Sequence, residues 1–434
     1  MDDFRFQQRE LYCEQVPLAR IAESVGTPAY IYSAATLIGH YDRFARAFAE
    51  LSPTICYSMK CCGNLHICRL LAARGAGFDV VSGGELFRAR TAGADPARIV
   101  FAGAGKTDRE IGEALDARVG LLNVESESEL AVLADIAAAR GAAVRAALRI
   151  NPDVDPRTHR YTTTGMKESK FGVDLERAQA AFDRFGRDPR LRLVGLHLHL
   201  GSPVNSIDPY VRALERTLAL FDELRSAGFP VDTLDIGGGF GAHYRGDEAP
   251  DAAAYAAAIV PLLRGRGLKV ILEPGRSIAA NAGVLLARVI HVKQSGERRF
   301  IILDAGMTEL IRPALYEAFH FVWPVRPGEG FVPPARGERV DLSGLVAADV
   351  VGPVCETGDF LALDRALPPV QRGDLMAVFS AGAYGMTMAS QYNARPRPPE
   401  VLVEGERFRF IRRRETYDDL VAPEQEVADS AWTT

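Results

Sequence analysis

The chain has 434 residues, 47% hydrophobic and 25% charged, a balance that suits a water-soluble protein with room for two domains. Its 51 Lys and Arg against 56 Asp and Glu leave a formal net charge of −5, which argues against a chain built mainly to grip nucleic acid or an acidic membrane. No run approaches the roughly 18 apolar residues of a membrane-spanning helix. The opening MDDFRFQQRE carries neither a basic leader nor an apolar core, so no signal peptide is expected.

Residues 1–34 are expected to contribute a strand or two to a β domain completed at the other end of the chain. From residue 35 to residue 280 the sequence alternates short β-branched runs with Ala-, Leu- and Arg-rich amphipathic stretches. The expected strands are Thr54–Lys60, Phe78–Ser82, Arg98–Gly103, Val119–Val124, Val144–Ile150, Leu193–Leu200, Thr233–Gly237 and Lys269–Glu273. Several of the helical stretches open on Ser, Asp or Glu and close on Gly, as helix ends prefer. Eight such beats are the count of a (β/α)8 TIM-type barrel. From residue 281 to residue 434 the texture changes to short strands with turn signals: VLLARVIHVKQ, RFIILDAG, RVDLSGLV, ADVVGPVCE, DLMAVFSAGAYG and EVLVEGERFRFI. They predict an antiparallel β-sandwich or barrel domain that also takes in the N-terminal segment.

In a (β/α)8 barrel the reactive groups gather at the carboxyl ends of the strands. The unusual residues here fall at those ends. Lys60 closes the first strand, where desolvation lowers the pKa of an amine and suits it to Schiff-base chemistry. HLHLGS, from His197 to Ser202, places two imidazoles on one strand face, able to bind zinc if a third ligand exists or to stack on an aromatic ring. DIGGGFG, from Asp235 to Gly241, follows the seventh strand with glycines that let backbone N–H groups close on a phosphate. EPGR, from Glu273 to Arg276, ends the eighth with a carboxylate for a pyridine nitrogen and a guanidinium for an anion. An amine, a phosphate loop, a stacking imidazole and a ring-facing carboxylate on one rim together describe a site for pyridoxal 5'-phosphate.

Three other features invite different readings. GAGKTD, from Gly103 to Asp108, looks like the end of a phosphate loop, but Val100 stands where that motif needs glycine. Cys56, Cys61, Cys62, Cys68 and His66 crowd together without the paired spacing of a zinc site, and no metal is expected. Reduced thiols in a cytoplasmic protein are the expectation for the six cysteines. RFRFIRRRE, from Arg407 to Glu415, interleaves arginine with aromatics, yet its period of two reads as an edge strand with a solvated basic face.

The long motifs FDVVSGGEL, NPDVDPRTHRYTTTGMKESKFG, LDIGGGFG, EPGRSIAANAG, IRPALYEAFH, GPVCETGDFLA and AGAYGMTMASQYNARPRP together resemble the diaminopimelate decarboxylases. These belong to the pyridoxal-phosphate decarboxylases with an alanine-racemase-like barrel, and the likeness runs from about Thr27 to Tyr417. The resemblance implies Lys60 as the Schiff-base lysine with Asp79 near its amine, His199 on the ring and Glu273 at the pyridine nitrogen. It implies Ser202, Gly238, Gly239, Gly275 and Arg276 on the phosphate side, with Tyr384 reaching the cofactor from the β domain. Arg276, Arg312, Tyr316, Glu356 and Tyr384 match the residues that hold the distal end of the substrate, and Cys355 matches the proton donor. In that family the cysteine serves the barrel of the other subunit, which implies a homodimer with shared sites.

Meso-diaminopimelate presents a distal ammonium and a distal carboxylate, so its site needs both signs of charge. Arg312 and Glu356 supply them, favouring an amino-diacid over ornithine, lysine or arginine, with another decarboxylase of the fold, acting on carboxynorspermidine or a natural-product precursor, as the alternative. A non-catalytic relative would be expected to lack Lys60 or Cys355, and both are present. The stretch between Pro152 and Phe171 is expected to act as a lid. The family usually follows this lysine with Ala-Asn, whereas Cys61 and Cys62 follow it here and are expected to serve as packing.

Overall fold

The alternating runs fold, in a computed structural model that describes residues 2–155, 170–246 and 249–425, as eight parallel strands. They are β1 (Thr54–Ser58), β2 (Gly77–Val80), β3 (Ile99–Phe101), β4 (Leu121–Val124), β5 (Val144–Asn151), β6 (Leu191–His197), β7 (Thr233–Asp235) and β8 (Lys269–Leu272). Each pairs with the next, and β8 pairs with β1, so the sheet closes. Every residue of β2, β3 and β4 is buried. A strand covered on both faces reads as a continuous apolar run, which is why no alternation marks these segments in the sequence.

The helices start where a short polar side chain can accept a backbone N–H. Ser82, Thr107, Ser126, Asp174 and Asp251 each cap one in this way. Thr107 forms a reciprocal capping box with Glu110. Its neighbour Lys106 is wholly buried, 2.6 Å from Glu129, and donates to the carbonyls of Gly103 and Asn123. The phosphate-loop lookalike is thus a helix cap built beside a structural lysine.

The chain divides into two units. One, the barrel, comprises residues 37–243 and 249–279; the other comprises residues 2–36, 244–246 and 280–425. Within the second unit, Phe4–Gln7, Glu10–Cys13 and Val16–Pro17 form a small antiparallel sheet. Ala29–Ser33 enters a nine-stranded sheet between Gly283–Ser295 and Glu400–Glu404. That sheet is chiefly antiparallel. Two pairings are parallel, Arg298–Leu303 with Val346–Val351 and Ala29–Ser33 with Glu400–Glu404, a departure from the purely antiparallel reading.

RVDLSGLV yields a strand only from Val346 onward, because its earlier part is polar and turn-forming. Phe360–Leu367 (FLALDRAL) has the residues of a helix former yet is a strand, held by pairing with Val346–Val351. Arg407–Arg412 is the terminal strand of the sheet, as its period of two suggests. No helix among the described residues is long and apolar enough to cross a membrane.

Candidate active site

The barrel gathers one set of candidate residues at the carboxyl ends of its strands. Lys60 does not end β1 itself. It lies one turn beyond, in the 3-10 segment Met59–Cys61, with about a third of its side chain exposed. Its Nζ donates to Oδ2 of Asp79 at 2.9 Å, and the same oxygen accepts the Ser58 hydroxyl at 2.5 Å. Asp79 is wholly buried, its Oδ1 has no partner among the described residues, and burial together with the charge of Glu273 raises its pKa.

Two carboxyls, Asp235 at the end of β7 and Glu273 just past β8, share the floor of this rim. Asn123 donates its amide N–H to both, at 2.9 and 3.3 Å. Carboxyls this close cannot both ionise cheaply. Burial and the charge of Glu273 push Asp235 well above the usual carboxylate range. Burial alone would push Glu273 up as well, but His197, 3.6 Å away, and the Lys60 ammonium outweigh it and hold Glu273 below that range. Glu273 keeps the charge and Asp235 keeps the proton.

The sign of that proton can be tested. A carboxyl whose folded pKa lies above its unfolded value stabilises the fold at low pH, and loses that stabilisation as pH climbs from about 4 toward the raised value. Asp235→Asn, which cannot ionise, is expected to lose less stability than the wild type between pH 4.5 and pH 8, read by urea denaturation at each pH. Parallel curves for the two proteins would show that Asp235 is already ionised.

The two imidazoles of HLHLGS part company. His197 faces Glu273, while Nδ1 of His199 accepts the backbone N–H of Gly238 at 3.2 Å. Burial, then the positive charges of Lys60 and Arg149, lower the His199 pKa well below its ordinary value, leaving a neutral flat ring. The candidate metal triad by geometry is therefore His197, Asp235 and Glu273 rather than the two histidines, and the Asn123 amide already bridges its carboxylates. Gly239 needs its glycine: φ is +94°, and a Cβ there would come 2.1 Å from the Gly201 carbonyl. Tyr210 fixes the same turn by donating its hydroxyl to the Gly238 carbonyl at 2.7 Å. Arg276 is buried and its Nε donates to the Ser202 hydroxyl at 3.0 Å.

The cysteine doublet fills space. Both thiols are buried, burial pushes the Cys61 thiol up to about 12, and its Sγ lies 3.3 Å from the Tyr57 hydroxyl. A Cβ on Gly275 would come 3.3 Å from that same sulfur, so Cys61 packs directly under the EPGR turn.

Arg149 and Glu125 drew no attention in the sequence, yet they form a buried ion pair at 2.8 Å behind the site. Arg149 also donates to the His199 carbonyl at 3.4 Å and covers the Phe171 ring at 4.6 Å. An arginine inside an apolar strand run, as in AALRIN, was the available signal. Residues 156–169 of the expected lid lie outside the described residues.

Arg312, Tyr316, Cys355, Glu356 and Tyr384 belong to the other unit. Arg312 opens the short helix Arg312–Tyr316 and is buried, its guanidinium 4.7 Å over the ring of Tyr244. His320 Nδ1 lies 2.9 Å from the Phe379 carbonyl, which can only accept, so Nδ1 carries the proton. Nε2 then accepts from Arg312 at 2.9 Å, fixing the plane of the fork. Cys355 is exposed on a turn locked by buried Asp359, whose carboxylate accepts the N–H groups of Met307 and Val354, each at 2.6 Å. Tyr384 takes a positive φ of 55°.

The barrel set fits pyridoxal phosphate: an amine held by a buried acid, an ionised carboxylate opposite, a neutral flat imidazole, and a glycine turn with no room for side chains. Residues 34–280 match the model of the pyridoxal-binding domain of the pyridoxal-dependent decarboxylases. The chain is 45% identical to the diaminopimelate decarboxylase of Aquifex aeolicus, across 97% of each chain. It is 47% identical to that of Pseudomonas aeruginosa, across 98% of this chain and 99% of the relative. The crystal structure of diaminopimelate decarboxylase from Helicobacter pylori complexed with L-lysine superposes with a TM-score of 0.88 at 38% identity, covering 94% of this chain and 99% of that one. With an amine held by a buried acid, a glycine turn and a likeness of this extent, the chain belongs to the pyridoxal-dependent decarboxylase family, among the diaminopimelate decarboxylases.

Proposed function

We propose that the chain removes a carboxylate of meso-diaminopimelate, yielding L-lysine and CO2, with pyridoxal phosphate as cofactor. The observation that carries this reading is the Lys60–Asp79 pair at 2.9 Å on the barrel rim that also holds Glu273 and His199. When bound, pyridoxal phosphate supplies an aldehyde that condenses with amines and a ring that takes up the electrons left by CO2.

Lys60 is the amine that anchors the aldehyde, and Asp79 holds its Nζ in place. Glu273, kept ionised, holds the proton on a ring nitrogen, while the neutral His199 offers its flat face to the ring. Ser202, Gly238, Gly239, Gly275 and Arg276 hold the phosphate, with Tyr384 reaching the cofactor. Arg276, Arg312, Tyr316, Glu356 and Tyr384 orient the distal amino-acid end of the substrate, and Cys355 returns a proton to Cα. We place the enzyme in the cytoplasm as a homodimer, with Cys355 serving the barrel of the other protomer.

Release of CO2 from meso-diaminopimelate, ornithine, arginine and carboxynorspermidine by the purified enzyme tests the substrate. Meso-diaminopimelate should lead the panel in kcat/KM, and a preference for a substrate without a distal carboxylate would overturn the assignment. Arg312→Ala should lower kcat/KM for meso-diaminopimelate by about 10²-fold, mostly through KM, since it removes a charge-assisted fork. Arg312→Lys should recover little, because an ammonium cannot bind a carboxylate through two parallel N–H bonds. An unchanged kcat/KM in Arg312→Ala would remove the residue from the substrate site.

A further inference from the structure

Cys355 sits at a junction of three segments of the second unit. Asp359 is buried and accepts the backbone N–H groups of Met307 and Val354, each at 2.6 Å. Two glycines bracket its carboxylate: a Cβ on Gly306 would come 2.2 Å from Oδ1, and one on Gly352 would come 2.4 Å from it. Beside Met307, the carbonyl of Thr308 accepts the N–H of Ser390 at 2.9 Å. Residues 306–308 therefore tie the Cys355 turn to the segment that carries QYNARP.

Within the turn, the N–H of Val354 goes to Asp359 and that of Glu356 to the Val354 carbonyl at 2.8 Å. The N–H between them, that of Cys355, reaches across to the side-chain oxygen of Asn393 at 3.2 Å. Asn393 presents this oxygen from a left-handed backbone, with φ +56° and ψ +28°, a conformation asparagine adopts more readily than most residues with a Cβ. Its neighbour Tyr392 faces the same turn, and hydrogen bonding to the Glu356 carboxylate raises the tyrosine's pKa. Adjacent residues of one segment thus meet the two adjacent residues assigned to the proton and to the distal end of the substrate.

We propose that Asn393 is a positioning residue for the Cys355 thiol, its amide oxygen holding the backbone from which the proton reaches Cα. The sulfur of a cysteine chooses among three staggered rotamers, so the orientation of the Cys355 backbone decides where it can lie. Proton transfer is steep in distance, and a misplacement of about 1 Å can cost 10²-fold. This role presupposes Cys355 as the proton donor and acts only through it.

Asn393→Gly keeps the left-handed backbone and removes the oxygen. Amide hydrogen exchange of the cofactor-loaded enzyme, read residue by residue by mass spectrometry, should be about tenfold faster at Cys355 in the variant than in the wild type. Its kcat should fall about tenfold while KM for meso-diaminopimelate stays within about twofold. Asn393→Asp, which restores an acceptor oxygen, should recover most of both losses. Adding Asn393→Gly to Cys355→Ala should lower kcat no further, because the sulfur it positions is already gone. Equal exchange at Cys355 in the wild type and Asn393→Gly would overturn the proposal, as would the same kcat loss on the Cys355→Ala background. A slow Cys355→Ala beside an Asn393→Gly of wild-type kcat would sink this role alone. Wild-type kcat in Cys355→Ala would sink the proton-donor assignment, and this role with it. Should Asn393→Gly fail to fold, Asn393→Ser, whose oxygen lies one bond nearer the backbone, reads the same exchange rate and the same kcat.

Discussion

Lys60→Ala is expected to lower the rate of CO2 release by more than about 10⁴-fold and to remove the visible absorption of the cofactor-loaded enzyme. The size of the effect follows from the position of the amine. The competing role for this amine is charge: it neutralises Asp79, which is wholly buried. Breaking a buried pair by removing one partner can cost 3–5 kcal/mol, but roughly a third of the Lys60 side chain is exposed, so the loss is smaller. Asp79 also has an exit, because burial and Glu273 already raise its pKa and it can take up a proton once the ammonium is gone. The variant should therefore fold. Lys60→Arg separates the two roles, since it keeps the positive charge beside Asp79 but offers no amine to an aldehyde. It should be as inactive as the alanine variant while keeping wild-type thermal stability. Activity in Lys60→Arg would reduce Lys60 to a structural cation.

Cys355→Ala is expected to leave the visible absorption of the cofactor in place and to lower kcat by about 10²- to 10⁴-fold, the range of a positioned proton donor. The turn that carries the thiol is built independently of the sulfur. Asp359 accepts the N–H of Val354 at 2.6 Å, the backbone N–H of Cys355 donates to Asn393 at 3.2 Å, and Glu356 donates its N–H to the Val354 carbonyl at 2.8 Å. Truncating an exposed side chain on so firmly held a turn should change stability by less than about 0.5 kcal/mol, so the kinetic loss would report chemistry. Unchanged kinetics would assign the proton to another group.

The barrel was legible because its signal is collective. All eight strands anticipated from β-branched runs are present, with ends displaced by a few residues. The displacement matters at Lys60, which sits in a 3-10 turn beyond the strand and so points from a turn that Ser58, Asp79 and Cys61 hold. Charge pairing was much less visible. Nothing in the spacing of Asn123, Asp235 and Glu273 says that one amide bridges two carboxyls, because three different strands bring them together. Arg149 with Glu125, and Arg312 with His320 and Tyr244, are hidden for the same reason. In the β unit the missed strands, Val322–Pro324 and Phe360–Leu367, lack a strong pattern of their own and are specified by their neighbours. The cysteine pair after Lys60 shows the reverse case. Its role as packing was expected from the sequence, and both thiols are buried, with burial pushing that of Cys61 up to about 12.

The central claim is that Lys60 carries the cofactor. Borohydride reduction of the cofactor-loaded enzyme, followed by peptide mass spectrometry, tests it in one step, because reduction fixes an aldehyde permanently to the amine that holds it. The account predicts a phosphopyridoxyl mass on the peptide that contains Lys60 and on no other. The same mass on the peptide of Lys106, the buried lysine of the helix cap, or no modified lysine at all, would contradict it.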